Sequence, residues 1–166
     1  MGPETVVQVL RFLRHHYDHV VLDGLRDFGD VPLAALDLAD RILLLVTQEV
    51  PAVRNAQRKA ELLRQLGVDA GRVLLVVNRY QKSSTITRHV IEETVRLPVV
   101  ATLGNDFQSL SRAINQGVLV WDESRRSAVA RDIEALSHQL LGAPPPPARS
   151  SFLKALLPAR MAIQGA

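Results

Sequence analysis

Apolar residues recur along this chain in two alternating rhythms. Val6, Val7, Leu10 and Leu13 fall on one helical face with Pro3 suited to the first turn, which predicts a helix over 3–14. HVVLDG (19–24) is a short continuous apolar run and reads as a buried strand. Pro32 to Leu38 predicts a brief helix, and RILLLVTQ (41–48) a second strand. Pro51 opens a helix through AVRNAQRKAELLRQL that Gly67 closes, because glycine readily takes the left-handed cap conformation. RVLLVVN (72–78) is a third strand, and SSTITRHVIEETV (83–95) reads as a helix capped by Ser83 or Ser84. LPVVATL (97–103) is a fourth, weaker strand, and two helices follow near 106–116 and 123–141.

Strands that are apolar throughout must be covered on both faces, and the intervening helices can supply that cover. The pattern predicts an α/β fold: a parallel, doubly wound sheet of about four strands with helices on both faces. In such sheets ligands bind beyond the carboxyl ends of the strands. That rule singles out Asp23 after HVVL, Thr47 and Gln48 after RILLLV, and Asn78 after RVLLVV.

Composition narrows the chemistry. A chain of 166 residues with 47% hydrophobic and 22% charged residues fits one globular domain. It contains no cysteine, which excludes disulfides, zinc-thiolate sites, iron–sulfur clusters and a thiol nucleophile. No apolar run approaches the roughly 20 residues that span a bilayer, and the N-terminus lacks the apolar core of a signal peptide. A cytoplasmic location is expected. The net charge of +3 is held by Arg149, Lys154 and Arg160, since residues 142–166 carry no acid. The body is neutral, so charge does not indicate a nucleic-acid partner.

The stretch HHYDHVVLDGLRDFGD (15–30) raises the question of a metal site. His15 and His19 are four apart and, on one helix, could share an ion with Asp18 or Asp23. Tyr17 and Asp18, however, look like the turn at which the first helix ends. His15 and His16 then lie on its last turn, where cations complement the helix dipole, and the turn-plus-strand reading is preferred. Arg26 and Asp27 read as a solvated loop. Arg54, Arg58 and Lys59 read as the wet face of a helix whose buried side is Ala56, Ala60, Leu62 and Leu63.

Four stretches together, YDHVVLDG, LDLADRILLLVTQEVPAVRNAQR, RVLLVVNRY and LGNDFQSLSRAINQG, resemble the second half of the ParA/MinD deviant-Walker ATPases, over about residues 4–141. Within that superfamily the chain is most similar to the CpaE/TadZ branch, on VPAVRNAQR, the NRY triplet and the ND pair. The resemblance implies a partial P-loop NTPase fold, ATP and magnesium as cofactors, and a localisation role in assembly of type IVc (Tad/Flp) pili. It also implies pilus-assembly or polar proteins and a homodimer as partners, at the inner membrane or cell pole.

Residue roles follow from the same resemblance. Asp23 resembles the Walker B carboxylate that holds magnesium, usually through water, and is the one residue it puts forward for catalysis. Thr47 lies near where the family lines the nucleotide crevice. Asn78 resembles the asparagine that reads the adenine edge, a task suited to an amide that both donates and accepts. Asn105 and Asp106 resemble the loop flanking the base, although Gly104 stands where the family usually has proline. Without the resemblance, an Asp or Asn at a strand end reads as a cap for the next turn.

The largest departure is the phosphate loop, because no GxxxxGK[ST] segment occurs in the 166 residues. On the resemblance, the chain is either the C-terminal part of a longer ATPase or a degenerate relative, inactive alone in both cases. Nucleotide-dependent localisation therefore competes with a nucleotide-independent interaction module, and with a partitioning or septum-site ATPase fragment. Residues 1–141 form the expected domain. Residues 142–166 form a proline-rich spacer and a basic tail, either disordered or carrying a short amphipathic turn over 149–163 for weak membrane or partner docking.

Overall fold

A computed structural model describes residues 2–25 and 28–142. Helix α1 (Pro3–His16) starts with Pro3 in its first turn and Glu4 beside it, and ends with Arg14, His15 and His16. This charge order matches the helix dipole at both ends. Tyr17 is extended and closes the helix, so His15 and His16 occupy the last turn as the sequence indicates. His16 stacks on Phe12 at 4.1 Å between centroids and bonds the Phe12 carbonyl through Nδ1 at 2.8 Å. Among the described residues no three of His, Asp and Glu gather in metal-binding geometry.

The expected first strand does not form. Residues 19–25 are irregular, and Val21 is 88% exposed. A strand exists only where its backbone groups have a neighbour to bond, and HVVLDG has none among the described residues. The sheet therefore has three strands instead of about four, while the fold class holds. Helix α2 (Asp30–Leu38) leads into β1 (Ile42–Val46), then α3 (Val50–Gln65), β2 (Val73–Tyr80), α4 (Arg88–Val95) and β3 (Val99–Gly104). Helices α5 (Phe107–Gln116), α6 (Val120–Glu123) and α7 (Ala128–Leu141) follow. The strands are parallel in the order β1-β2-β3.

Local chemistry sets the element ends. At the end of α3, Gly67 sits at φ 79; its N–H bonds Arg64 O, and the Val68 N–H bonds Leu63 O, both at 3.0 Å. That is the paired Schellman closure for which glycine is suited. Helix α4 starts later than the serines suggest. Ser84 Oγ accepts from the Ile86 N–H at 3.2 Å, a local turn that competes with helix, and Thr87 caps the helix by accepting from Val90 N–H. The last expected helix, 123–141, starts only at Ala128, because Ser127 turns back to Ser124 O and caps α7 at Ala130 N–H, while a short α6 precedes it.

Two apolar layers cover the sheet. On one face Val73, Leu75 and Val77 of β2 pack with Val53, Ala56, Ala60 and Leu63 of α3 and Ile91 and Val95 of α4. On the other, Val76 and Leu103 pack with Val129 and Leu136 of α7. Leu75, Val76 and Val77 are fully buried, which makes β2 the central strand covered on both sides. Strand β1 is different: Ile42, Leu44 and Val46 are buried, but Leu43 and Leu45 are 39% and 54% exposed. Among the described residues, one face of β1 lacks the helical cover that its sequence calls for, and its outer edge pairs with no strand.

Candidate functional site

The parallel register brings two of the expected residues together. Ile42–Val46 pair in step with Val73–Val77, so Thr47 and Asn78 stand on the next rung, at the carboxyl ends of β1 and β2. Both line a groove of about 210 Å³ that runs along β1 beneath α3. Asn55 and Lys59 of α3 line it too. Lys59 is half-buried here and so does not belong to the wet face of α3. The signal in the sequence was its position beside the buried Ala56 and Ala60, on the flank that faces the open edge.

The groove is held in shape by amides. Asn78 Oδ1 accepts from the Arg79 N–H at 2.9 Å, and Arg79 takes a left-handed φ of 53. Such a conformation costs a non-glycine residue about 1–2 kcal/mol, so the surrounding structure fixes the turn after Asn78. With Oδ1 partly engaged, Asn78 keeps both Nδ2 hydrogens for a ligand. Gln48 joins the next loops: its Nε2 donates to Ile86 O and its Oε1 accepts from Gln81 N–H, both at 2.7 Å. The sequence marked Gln48 only as a strand end.

Asn105 and Asp106 lie at the end of β3, and the Asn105 N–H bonds Tyr80 O at 3.4 Å, which ties their loop to β2. The Asp106 carboxylate caps α5 by accepting from Ser109 N–H at 3.1 Å. That amide, with the Ser127 and Ser109 hydroxyls, holds its carboxyl below the ordinary value of 3.8. Gly104, where the family usually has proline, is tied to α7 by its backbone. Its N–H donates to Asp132 Oδ2 at 2.8 Å, and a Cβ here would stand 3.2 Å from that oxygen. Asp23 is not part of this group: it is exposed on the irregular segment 19–25 and does not line the groove.

A larger cleft of about 510 Å³ opens at the opposite ends of the strands, between Arg14, Asp37, Asp40, Arg41 and Arg72. Its guanidinium groups are spent on structure. Arg72 donates to Leu36 O at 2.7 Å and to Asp37 O and Ala39 O, Arg14 to Leu38 O, and Arg41 to Gly71 O. The smaller groove holds the free polar groups and is the better site.

The residues fit one side of a nucleotide. In the groove Asn78 offers an amide and Thr47 a hydroxyl, groups suited to a base, whereas Asn105, at the end of β3, does not line it. The phosphate and magnesium side does not fit on these residues alone, since among the described residues Lys59 is the single cation lining the groove and Asp23 does not line it.

The arrangement is that of the ParA/MinD-type fold. The structure superposes on a ParA family ATPase from Chlorobium tepidum with TM-score 0.75 and 20% identity, covering 80% of this chain and 55% of that one. On the MinD cell division protein of Aquifex aeolicus the TM-score is 0.73 at 19% identity, over 90% of this chain and 64% of that one. In sequence the chain is related to the septum site-determining protein MinD of Thermotoga maritima, 24% identical over 147 residues, which are 86% of this chain and 54% of that protein. It is also similar to an uncharacterized ATP-binding protein of Methanocaldococcus jannaschii, 25% identical over 105 residues, 63% of this chain and 39% of that protein. No family model matches. The chain spans about half the length of the curated relatives it matches, or less.

Proposed function

We propose that this chain supplies the base-binding side of a ParA/MinD-like ATP site and the sheet edge on which a phosphate-loop half docks. Its role on this reading is that of a CpaE/TadZ-type localisation factor for type IVc (Tad/Flp) pilus assembly, acting in the cytoplasm at the cell pole. The observation that carries the nucleotide reading is the groove along the unpaired edge of β1, with Thr47 and Asn78 on one rung and Lys59 above them. The missing parts are those a phosphate-loop half would bring: a neighbour for β1, cover for Leu43 and Leu45, a partner for HVVLDG, and the phosphate cradle. Asp23 becomes a magnesium ligand only when residues 19–23 are drawn into the sheet, since a hard cation needs a fixed oxygen. The pilus role rests on the VPAVRNAQR, NRY and ND residues; the septum-site reading is favoured instead by the likeness to MinD.

Calorimetric titration tests the site. The chain alone gives no micromolar, magnesium-dependent ATP binding, because the phosphates carry most of the charge and have no cradle. Mixed with a phosphate-loop half, it binds ATP. Asp23→Asn then weakens the magnesium dependence most, whereas Asn78→Ala blurs the choice of ATP over GTP by about 1–3 kcal/mol. Identical behaviour of the two variants, or indifference to both, leaves the nucleotide-independent interaction module as the function.

A further inference from the structure

The ladder between β1 and β2 stops one rung short of the polar end of the groove. Its last paired residues are Val46 and Val77, and Thr47 and Asn78 lie just beyond them. On the other side β2 and β3 slip out of step at the same place. Val77 pairs with Thr102 and Tyr80 with Gly104, so Asn78 and Arg79 together stand opposite Leu103. That is a β-bulge, a device by which a strand re-aims side chains beside a site. Its effect shows in the packing. Val73, Leu75 and Val77 lie on the α3–α4 face, and Tyr80 packs with that same layer although strict alternation would send it to the opposite one. Asn78 therefore falls outside the paired rungs on both sides. Its own bond to the Arg79 N–H orients the amide only relative to the bulge.

One side chain takes over where the rungs stop. Gln48 follows Thr47, and its amide reaches across to the chain beyond Asn78: Oε1 accepts from the Gln81 N–H and Nε2 donates to Ile86 O, both at 2.7 Å. Gln81 comes directly after β2, and Ile86 lies just before the Thr87 cap of α4. Because one planar amide makes both bonds, it sets how far the end of β1 stands from the end of the bulge. It thereby sets the spacing of the Thr47 hydroxyl from the Asn78 amide. That spacing matters for a base. An asparagine tells an amino from an oxo group on a purine only while its oxygen and its NH2 keep their places, since a half-turn of the amide exchanges acceptor for donor.

We infer that Gln48 is the positioning residue for base selectivity, holding the Asn78 amide in register with Thr47 across the end of the ladder. The inference rests on the base-binding reading of the groove. Gln48 does not line the groove and acts through Asn78. A plain loop anchor would behave differently, and Ser84 supplies the comparison. Its Oγ accepts from the Ile86 N–H at 3.2 Å, a bond that steadies the same loop without involving β1.

The test titrates the full chain with adenosine and with inosine, the same nucleoside with an oxo group in place of the amino group. Millimolar nucleoside is followed through the nuclear magnetic resonance signals of the Asn78 side-chain amide and the Thr47 backbone amide. The parent is expected to bind adenosine more tightly. Gln48→Glu keeps an acceptor for Gln81 but has no donor for Ile86, and Gln48→Leu has neither. Both should reduce the preference for adenosine about fivefold, the factor that one neutral hydrogen bond supplies. Ser84→Ala should keep the parental preference. Unshifted signals of the buried Leu75, Val76 and Val77 show that the sheet is intact in each variant, and if Gln48→Leu does not fold, Gln48→Glu carries the test. A preference kept in the folded Gln48 variants, or lost equally in Ser84→Ala, overturns the inference and leaves Gln48 a loop anchor. Equal affinity of the parent for the two nucleosides overturns it as well. No response of the parent to either one overturns the base-binding reading itself, and the inference with it.

Discussion

Glu92 shows how one side chain couples a helix to a strand and makes the coupling sensitive to acid. Its Oε1 accepts from the Val99 N–H at 2.8 Å and from Arg88 Nε at 3.0 Å, joining α4 to the start of β3. The Val99 amide, aided by Arg88 and opposed by burial, holds the carboxyl below its ordinary value of 4.5. A carboxyl whose pKa is lower folded than unfolded binds fewer protons in the native state. Its contribution is full above about pH 4.5 and is lost as pH falls through the folded value. Glu92→Gln should therefore cost about 1 kcal/mol at neutral pH, while mutant and parent converge in acid; denaturant unfolding between neutrality and pH 3 measures it. The four-residue spacing of Arg88 and Glu92 was visible in the sequence, but the bond to Val99 N–H was not. It depends on where β3 starts relative to α4, and only tertiary packing sets that.

At the scale of elements, β1, β2, β3, α1 and α3 were legible because their periodicity, prolines and Gly67 all point the same way. HVVLDG was misread because a strand belongs to a pair, and composition reports only one member. The start of α4 was misread because Ser84 bonds its own turn. The strand-end rule marks the positions of Thr47, Gln48 and Asn78, whereas the two loop bonds of Gln48 and the place of Lys59 in the groove depend on tertiary packing. Arg72 gives the element-scale prediction. Its guanidinium bridges the carbonyls of Leu36, Asp37 and Ala39 at the end of α2, and α1 packs on α2, so one side chain ties both helices to β2. Lysine keeps the charge but cannot fork across several carbonyls. Arg72→Lys should cost about 1–3 kcal/mol, with hydrogen exchange rising in residues 3–16 and 30–38 and unchanged in 73–80.

For the whole molecule, the half-exposed face of β1 and its outer edge, unpaired among the described residues, set what a docking phosphate-loop half would meet. Leu45 is 54% exposed, so in the chain by itself Leu45→Lys removes little buried area and introduces a charge that discourages edge-to-edge pairing. Its unfolding free energy should stay within about 0.5 kcal/mol of the parent, as for other surface substitutions. Concentration-dependent self-association, read by sedimentation velocity, should fall. The same substitution should act differently once a phosphate-loop half is added. A neighbouring strand and the helix beyond it would bury position 45, and burying an unpaired ammonium costs several kcal/mol. Leu43→Lys, on the same face, should behave alike. Leu74→Lys, on the adjoining strand and already half-buried, should destabilise the chain with or without the added half. The measurement is the affinity of each variant for the phosphate-loop half, beside its unfolding curve alone. If Leu45→Lys and Leu43→Lys keep full affinity, the half does not dock at β1. If either unfolds the isolated chain, something in this chain already covers that face.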